Sequence, residues 1–385
     1  MKSLSHTISN LPASGIRKFF DLVAEMDEVI SLGVGEPDFV TPWRVREAAI
    51  HSLEQGRTTY TSNYGLLELR DAITQLIANR YGVTYNHRTE VLVTVGVSEG
   101  LDAAFRAILN PGDEVLVPEP CYVSYAPCVM FAGGIPVPVR TRAADGFKVR
   151  ADGLADYLTP KTKAILLSYP TNPTGAVMAH RELQDVVDVA SSNDLYILTD
   201  EIYDRLSYDA PHVCVAGLDG AKDRTILLNG FSKAYAMTGW RVGYVCAPAP
   251  IIESMMKIHQ YTMLCAPITS QIAALEAIRN GERDVADMVE DYDLRRRMFV
   301  AGLNRVGIPC ELPGGAFYAF PNIEHTGLDA STFAERLLKE ERVLVVPGDV
   351  FGPGGMGHVR CCYATAPKLL EEAIVRIGRF VQTLN

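Results

Sequence analysis

The 385-residue sequence lacks several features that assign a chain to a class at once. It has no apolar run near the roughly 18 residues of a membrane helix, and its first residues lack the apolar stretch of a secretory signal. Its eight cysteines include no C-x-x-C pair, so we expect reduced, mostly buried thiols. The histidines show no spacing typical of metal ligands. These absences predict a cytoplasmic protein with no membrane segment and no bound metal.

An excess of basic residues is also missing, because the formal net charge is −10. Nucleic acids and anionic membrane surfaces attract basic proteins, so we expect neither as a partner. Hydrophobic residues make up 48% of the chain, which is enough for a sizeable core and for more than one domain. The composition therefore favours a globular protein that acts on small molecules.

Short apolar segments in the middle of the chain predict strands, and helical patterns separate several of them. This alternation is typical of a mainly parallel sheet that is covered on both faces. We therefore predict an α/β fold, in which residues 46–284 form a large domain around a mainly parallel seven-stranded sheet. Residues 1–45 and 285–385 are expected to form a smaller α+β domain from both chain ends. The predicted strands are residues 91–95, 114–117, 135–139, 164–168, 195–199, 225–229 and 242–246.

Polar and small residues follow several of these strands, at the edge where open α/β sheets bind ligands. The turn at residues 96–100 leads into a helix whose free N–H groups suit a phosphate, although Ser98 could be only a helix cap. Asn172 lies in a tight proline- and glycine-containing loop, where an ordinary turn asparagine is the alternative. Asp200 ends the next strand, and a carboxylate in that place is costly unless a cation pairs with it.

The segment GFSKAYAMTGWRVG, residues 230–243, follows the sixth predicted strand and contains Lys233 and Arg241. A lysine among apolar neighbours should have a lowered pKa, which favours the neutral amine that a Schiff base requires. Arg241 can meet a phosphate with its planar guanidinium group. A solvated surface pair is the alternative, but it fits poorly with an apolar, glycine-rich stretch. The segment therefore predicts a phosphate-bearing ligand that reacts with an amine.

Residues 230–243 resemble the lysine signature of the class I and II aminotransferases, which are pyridoxal-phosphate (PLP) enzymes of fold type I. The resemblance covers essentially the whole chain, and it is strongest to the prokaryotic aspartate, aromatic and N-acetyl-diaminopimelate aminotransferases. It implies transfer of an amino group from one of these L-amino acids to a 2-oxo acid, with 2-oxoglutarate as the expected acceptor. The other matching segments are GVGEPDF (33–39), NPTG (172–175), DEIY (200–203), GGAFY (314–318) and HVR (358–360).

The resemblance implies how the cofactor is held. Lys233 forms the Schiff base with PLP and then moves a proton between the substrate Cα and the cofactor. Asp200 keeps the pyridine nitrogen protonated, so that the ring can accept electrons, while Tyr203 and Asn172 hold the ring oxygen. In addition, Tyr122 is implied to stack on the cofactor ring, and the cofactor phosphate is implied to be held by Val97, Ser98 and Arg241.

The resemblance also implies the substrate contacts and the assembly. Arg360 binds the substrate α-carboxylate as a bidentate pair, and Asn172 and the backbone of Gly35 complete that site. Tyr60 matches a tyrosine that reaches the phosphate of the neighbouring subunit, which implies a homodimer with shared active sites. A core aromatic residue is the alternative for Tyr60.

The substrate side chain is not specified by these motifs. Tyr64 stands where the family usually has a smaller residue, so it could alter side-chain specificity. An acidic substrate needs a second cation, for which Arg17 and Arg106 are among the candidates. A helix near residues 14–26 is expected to cover the site on binding.

Three other functions deserve comparison with transamination. A carbon–sulfur β-lyase of the same fold would use the same cofactor, and nothing in the sequence excludes a minor lyase activity. A transcriptional regulator built on this fold would carry a basic DNA-binding domain before it, whereas this chain is acidic and its motifs begin by about residue 14. A dinucleotide site at Gly33-x-Gly35 lacks its third glycine, where Asp38 stands.

Overall fold

The structure, a computed structural model, describes residues 2–9, 11 and 26–384. The helix predicted near residues 14–26 therefore lies outside the described residues, except for Met26, and so does Arg17. Within the described ranges, no helix is long and apolar enough to cross a membrane. All eight cysteines are free, and four of them are buried.

Two small sheets and one large sheet contain the strands of the described chain. The large sheet has seven strands, as predicted, and its observed strands begin and end within two residues of the predicted bounds. The strands are β1 (Ile30–Ser31), β2 (Val91–Thr94), β3 (Glu114–Glu119), β4 (Ile135–Arg140), β5 (Thr162–Leu167), β6 (Tyr196–Asp200), β7 (Thr225–Gly230), β8 (Gly243–Cys246), β9 (Tyr318–Ala319), β10 (Val343–Leu344), β11 (Val346–Pro347) and β12 (Val359–Cys362).

The order of the large sheet is β2-β8-β7-β6-β5-β3-β4. Strands β3 to β7 pair in parallel, which confirms the mainly parallel sheet. Strand β8 is antiparallel to both of its neighbours, β2 and β7. Strand β2 therefore runs in the same direction as β7. As a result, the carboxyl ends of β2, β3, β5, β6 and β7 lie at one edge of the sheet. The segments that follow these strands are thereby brought together.

Helices bury both faces of the large sheet, which explains its continuous apolar strands. On β5, Ala164 and Leu166 cluster with residues of the helices Gly96–Ile108, Tyr125–Phe131 and Ala249–Thr262. Ile165 and Leu167, on the other face, cluster with residues of the helix His180–Ser192. The helices are α1 (Trp43–Glu54), α2 (Leu67–Tyr81), α3 (Gly96–Ile108), α4 (Tyr125–Phe131), α5 (His180–Ser192), α6 (Ala249–Thr262), α7 (Ile268–Asn280), α8 (Glu282–Arg305), α9 (Ala330–Glu341) and α10 (Pro367–Gln382), besides one helical turn at His6–Ser9.

A second region contains the two small sheets, which are built from segments near the beginning and the end of the chain. Strands β9, β12 and β11 form an antiparallel sheet, and β1 pairs in parallel with β10. Helix α8 runs through residue 285, where the sequence places a domain boundary. The division into residues 46–284 and residues 1–45 with 285–385 stays a prediction.

Residues 33–41 connect β1 to α1, and their first part lies along the carboxyl edge of the large sheet. Two contacts fix this segment. The Thr41 hydroxyl donates to the Ala236 carbonyl at 2.5 Å, and Asp38 pairs with Arg295 at 2.7 Å. The segment therefore forms one wall of the space beyond the strand ends.

Candidate active site

A cavity of about 400 Å³ lies at the carboxyl edge of the large sheet. Its wall brings together residues that are up to 327 positions apart in the chain, from Gly33 to Arg360. A cavity of about 600 Å³ elsewhere contains none of the predicted site residues, so we place the candidate site in the smaller one. The predicted residues in its wall are Gly35, Val97, Ser98, Tyr122, Asn172, Asp200, Tyr203, Lys233, Arg241 and Arg360.

Tyr60 is the one predicted site residue outside this wall. Its side chain is 81% exposed in the single chain, which excludes the core alternative. Tyr64 also lies outside the wall, and the Arg70 guanidinium carbon lies 5.6 Å from its ring centre. Arg106 pairs with Asp102 on α3 at 2.8 Å and is not a cation of this cavity.

The Lys233 amine faces the cavity and donates to the Gly35 carbonyl at 2.6 Å. Its nitrogen lies 5.8 Å from the ring centre of Tyr203 and 5.6 Å from that of Phe317. Burial lowers the pKa of Lys233 to about 8, despite the opposing effect of nearby acidic groups. The site therefore holds an amine that is partly neutral near pH 7, as a nucleophile requires.

The Asp200 carboxylate is buried at the end of β6. It accepts hydrogen bonds from the Tyr125 hydroxyl at 2.9 Å and from the Ile202 N–H at 3.2 Å. Burial raises the pKa of Asp200 to about 6, although both hydrogen bonds oppose the rise. No cationic side chain of the described residues forms an ion pair with it, so the carboxylate suits a cationic group of a ligand. Tyr125 was missed by the sequence interpretation, which stopped at Tyr122.

The start of α3 forms an anion cradle. The helix begins at Gly96 without a side-chain cap, so Ser98 lies in the first turn and is not the cap. The first N–H groups of a helix have no helical partner, and Val97 and Ser98 of this turn line the cavity. Arg241 adopts a left-handed conformation, with φ of 52°, and a Cβ added to Gly96 would lie 2.6 Å from its guanidinium nitrogen. Glycine thus lets the guanidinium and the helix terminus share one site.

Arg360 is a buried cation that forms no ion pair with any described residue. One terminal nitrogen donates to the Asn172 side-chain oxygen at 2.8 Å, and the other donates to the Gly33 carbonyl at 2.6 Å. The guanidinium carbon lies 4.6 Å from the Tyr318 ring centre and 4.8 Å from that of Phe351. Its Nε atom is buried without a partner, and no acidic side chain of the described residues pairs with it. The site is therefore suited to a carboxylate ligand.

Asn172 hydrogen-bonds to this arginine, and Gly35 lies in the same cavity wall. The Gly35 carbonyl accepts from Lys233, and Asn172 uses its oxygen for Arg360, which leaves its NH₂ group available to a ligand. The cavity thus has an amine, an anion cradle and a carboxylate site in one enclosed space.

The chain is similar over nearly its whole length to proteins of one family. The family described as aminotransferase class I and II matches residues 27–377. The putative aminotransferase YugH of Bacillus subtilis (strain 168) is 53% identical over 98% of both chains. The aspartate aminotransferase of Pyrococcus abyssi (strain GE5 / Orsay) is 43% identical, over 99% of this chain and 98% of its own. The crystal structure of the aromatic aminotransferase from Pyrococcus horikoshii OT3 shares 44% identity and a TM-score of 0.91, with 96% of this chain and 99% of that chain covered.

Proposed function

Because the chain belongs to the class I and II aminotransferases, which use pyridoxal phosphate, we propose that Lys233 is the residue that bonds covalently to that cofactor. The enzyme is an aminotransferase, and we propose L-amino acids as donors and 2-oxoglutarate as the acceptor. One observation carries the assignment of Lys233. Among the described residues it is the only lysine in the wall of the candidate cavity, and burial lowers its pKa to about 8.

The cavity fits PLP in the chemistry of its walls. Asp200 would face the pyridine nitrogen, and the first turn of α3 with Arg241 would hold the phosphate. Tyr203 and Asn172 would donate to the ring oxygen, and Tyr122 would stack on the ring. When bound, the cofactor supplies an aldehyde that condenses with amines and a ring that accepts electrons from the substrate Cα.

The protein's own groups then divide the remaining tasks. Arg360 would bind the α-carboxylate with its two terminal nitrogens, and the second hydrogen of the Asn172 NH₂ group would add a third hydrogen bond. This orients the substrate Cα–H bond toward Lys233. With its lowered pKa, the Lys233 amine can take up and return the Cα proton near neutral pH.

We propose further that the enzyme is a homodimer in which Tyr60 reaches the phosphate of the partner subunit. The exposure of Tyr60 supports this, and other large apolar side chains, such as Trp43 and Tyr261, are also exposed in the single chain. Light scattering should give a mass near twice 42.2 kDa. A monomer that turns over at full rate would contradict the shared site. The cytoplasmic location stays a prediction.

The function is tested by mixing the PLP-loaded enzyme with 2-oxoglutarate and single amino acids. The panel includes aspartate, the aromatic amino acids and N-acetyl-LL-diaminopimelate, and glutamate formation is measured. Glutamate from at least one donor supports the proposal. Pyruvate and ammonia from cystathionine, without glutamate from any donor, would instead support the lyase.

The lowered pKa of Lys233 predicts how PLP capture by the apoenzyme depends on pH. Because only the neutral amine attacks the aldehyde, and roughly a tenth of it is neutral at pH 7, the capture rate should rise nearly tenfold per unit below pH 8. Above pH 8 the rate should level off. Stopped-flow absorbance measures the rate, with N-α-acetyl-lysine as the control that keeps rising toward pH 10. A protein rate that follows this control would contradict the prediction.

Replacing Gly96 with alanine is expected to weaken PLP binding about tenfold or more. The added methyl group would crowd the Arg241 guanidinium at 2.6 Å, and the residue has φ of 75°. Gly82→Ala is a matched control, because Gly82 has φ of 70° and no atom within 4 Å of an added Cβ. Both variants should lose about 1 kcal/mol of stability from the backbone strain, but only Gly96→Ala should lose affinity. Equal PLP dissociation constants for Gly96→Ala and Gly82→Ala would contradict the assignment of the phosphate to the start of α3 and Arg241.

A further inference from the structure

Two buried tyrosine hydroxyls meet beside the cavity, and the proposed function uses only one of them. The hydroxyls of Tyr203 and Tyr318 lie 2.8 Å apart, and 115 positions separate the two residues in the chain. Both side chains are almost completely buried. Tyr318 lies in the wall of the candidate cavity, on strand β9, and belongs to the GGAFY segment. It therefore touches the proposed cofactor site through Tyr203.

Tyr318 also touches the proposed carboxylate site. The guanidinium carbon of Arg360 lies 4.6 Å from the centre of its ring and 4.8 Å from the centre of the Phe351 ring. A Cβ at position 35 would overlap the Tyr318 hydroxyl, so only glycine there lets the hydroxyl reach Tyr203. One side chain thus contacts the groups that would hold the cofactor and those that would hold the substrate.

We propose that Tyr318 is a positioning residue that donates its hydroxyl proton to Tyr203 and fixes the plane of the Arg360 guanidinium with its ring. The inference rests on the proposed function, in which Tyr203 donates to the cofactor ring oxygen. A phenol carries one proton, so Tyr203 can donate to a ligand only when it accepts from Tyr318. A hydroxyl that accepts a hydrogen bond is also the stronger donor.

Burial keeps both phenols protonated across the working pH range, as this donation requires. It raises the pKa of both Tyr203 and Tyr318 far above neutrality, so both phenols keep their protons. The ionisable groups that interact with the two phenols include Arg360, Cys362, Tyr122 and Lys233. The cavity wall also contains the ionisable side chains of Asp200, Tyr125 and Arg241. All of these groups remain in a Tyr318→Phe variant. Any difference between this variant and the wild type can therefore be attributed to the Tyr318 hydroxyl.

The first test is the pH titration of the visible absorbance of the bound cofactor. In Tyr318→Phe, Tyr203 donates more weakly and the negative ring oxygen is less stabilised, so the lysine–cofactor linkage should keep its proton to higher pH. We expect the midpoint to rise by about half to one pH unit. Tyr363→Phe is the matched control, since its buried hydroxyl donates to the Ala316 carbonyl at 3.0 Å outside the cavity wall. Its midpoint should not move.

A double variant shows whether Tyr318 acts through Tyr203. Tyr203→Phe alone should raise the midpoint more than Tyr318→Phe does. Adding Tyr318→Phe to Tyr203→Phe should then cause no further shift. The inference is overturned if Tyr318→Phe leaves the midpoint unchanged, or if it shifts the midpoint equally with and without the Tyr203 hydroxyl.

The contact with Arg360 is tested with the α-methyl analogue of the best donor in the panel, which binds but has no Cα proton to lose. Tyr318→Phe keeps the aromatic ring, so the dissociation constant of the analogue should change by about twofold at most. Tyr318→Leu loses the flat surface and should weaken binding about tenfold. Equal dissociation constants in the two variants would overturn this half of the inference.

Borohydride reduction separates the failure of the inference from the failure of the proposed function. Peptide mapping of the wild type and of each variant should find the cofactor on Lys233. Cofactor on another lysine would overturn the proposed function itself. Cofactor on Lys233 together with an unmoved titration would overturn only the role of Tyr318.

Discussion

Replacing Lys233 with alanine is expected to abolish covalent attachment of PLP and to lower turnover about a thousandfold. Within the part of the chain that the structure describes, no other lysine lines the cavity, so no second amine there is placed to attack the aldehyde. A positioned acid–base group contributes roughly 10²- to 10⁴-fold to the rate of proton transfer. PLP itself should still bind reversibly, because Arg241, the start of α3 and Asp200 are unchanged.

The Lys233→Ala variant is assessed by borohydride trapping, equilibrium dialysis of PLP and the glutamate assay. Lys257→Ala is the control, since this lysine pairs with Glu253 on the exposed face of α6. The control should trap the cofactor and turn over like the wild type. Trapped cofactor in Lys233→Ala would mean that another lysine performs the chemistry.

Replacing Arg360 with lysine is expected to lower kcat/KM by roughly ten- to a hundredfold for every amino acid donor. Lysine keeps the charge but loses the planar pair of donors, and a charge-assisted hydrogen bond contributes about 1.5–3 kcal/mol. The ammonium group would also leave the Asn172 oxygen and the Gly33 carbonyl with fewer donors. Since every donor has the same α-carboxylate, the loss should not depend on the side chain.

The Arg360 prediction is measured with the same panel of donors. Arg336→Lys serves as the control, because Arg336 forms a surface pair with Glu340 and should change little. Arg241→Lys gives a second comparison. This variant should bind PLP more weakly but should keep the same relative preference among the amino acid donors. A loss confined to acidic donors would make Arg360 the selector of the side chain.

The sequence predicted the sheet and most of the cavity wall because both depend on local patterns. Apolar strands with polar or small residues directly after them fix which positions reach the carboxyl edge. Asp200, Lys233 and the turn at residues 96–98 could therefore be placed without knowing any long-range contact. Arg360 and Gly35 were identified by resemblance alone, since strand patterning says nothing about segments from the other region.

The contacts between distant segments could not be predicted in this way. Tyr125 and Asp200 are 75 positions apart, and Tyr203 and Tyr318 are 115 apart. A buried tyrosine in an apolar segment has the same pattern as a core aromatic residue. The partner of its hydroxyl depends on how the two regions pack. For example, the Tyr318 hydroxyl fits beside Gly35 only because glycine has no Cβ there.

The most direct test of the central claim is the visible absorbance of the PLP-loaded protein, recorded as single amino acids are added without any 2-oxo acid. We expect the band to be lost with some donors and to return when 2-oxoglutarate is added, whereas Lys233→Ala should show no such cycle at a comparable rate. A band that no amino acid changes would contradict the assignment of an aminotransferase site to this cavity.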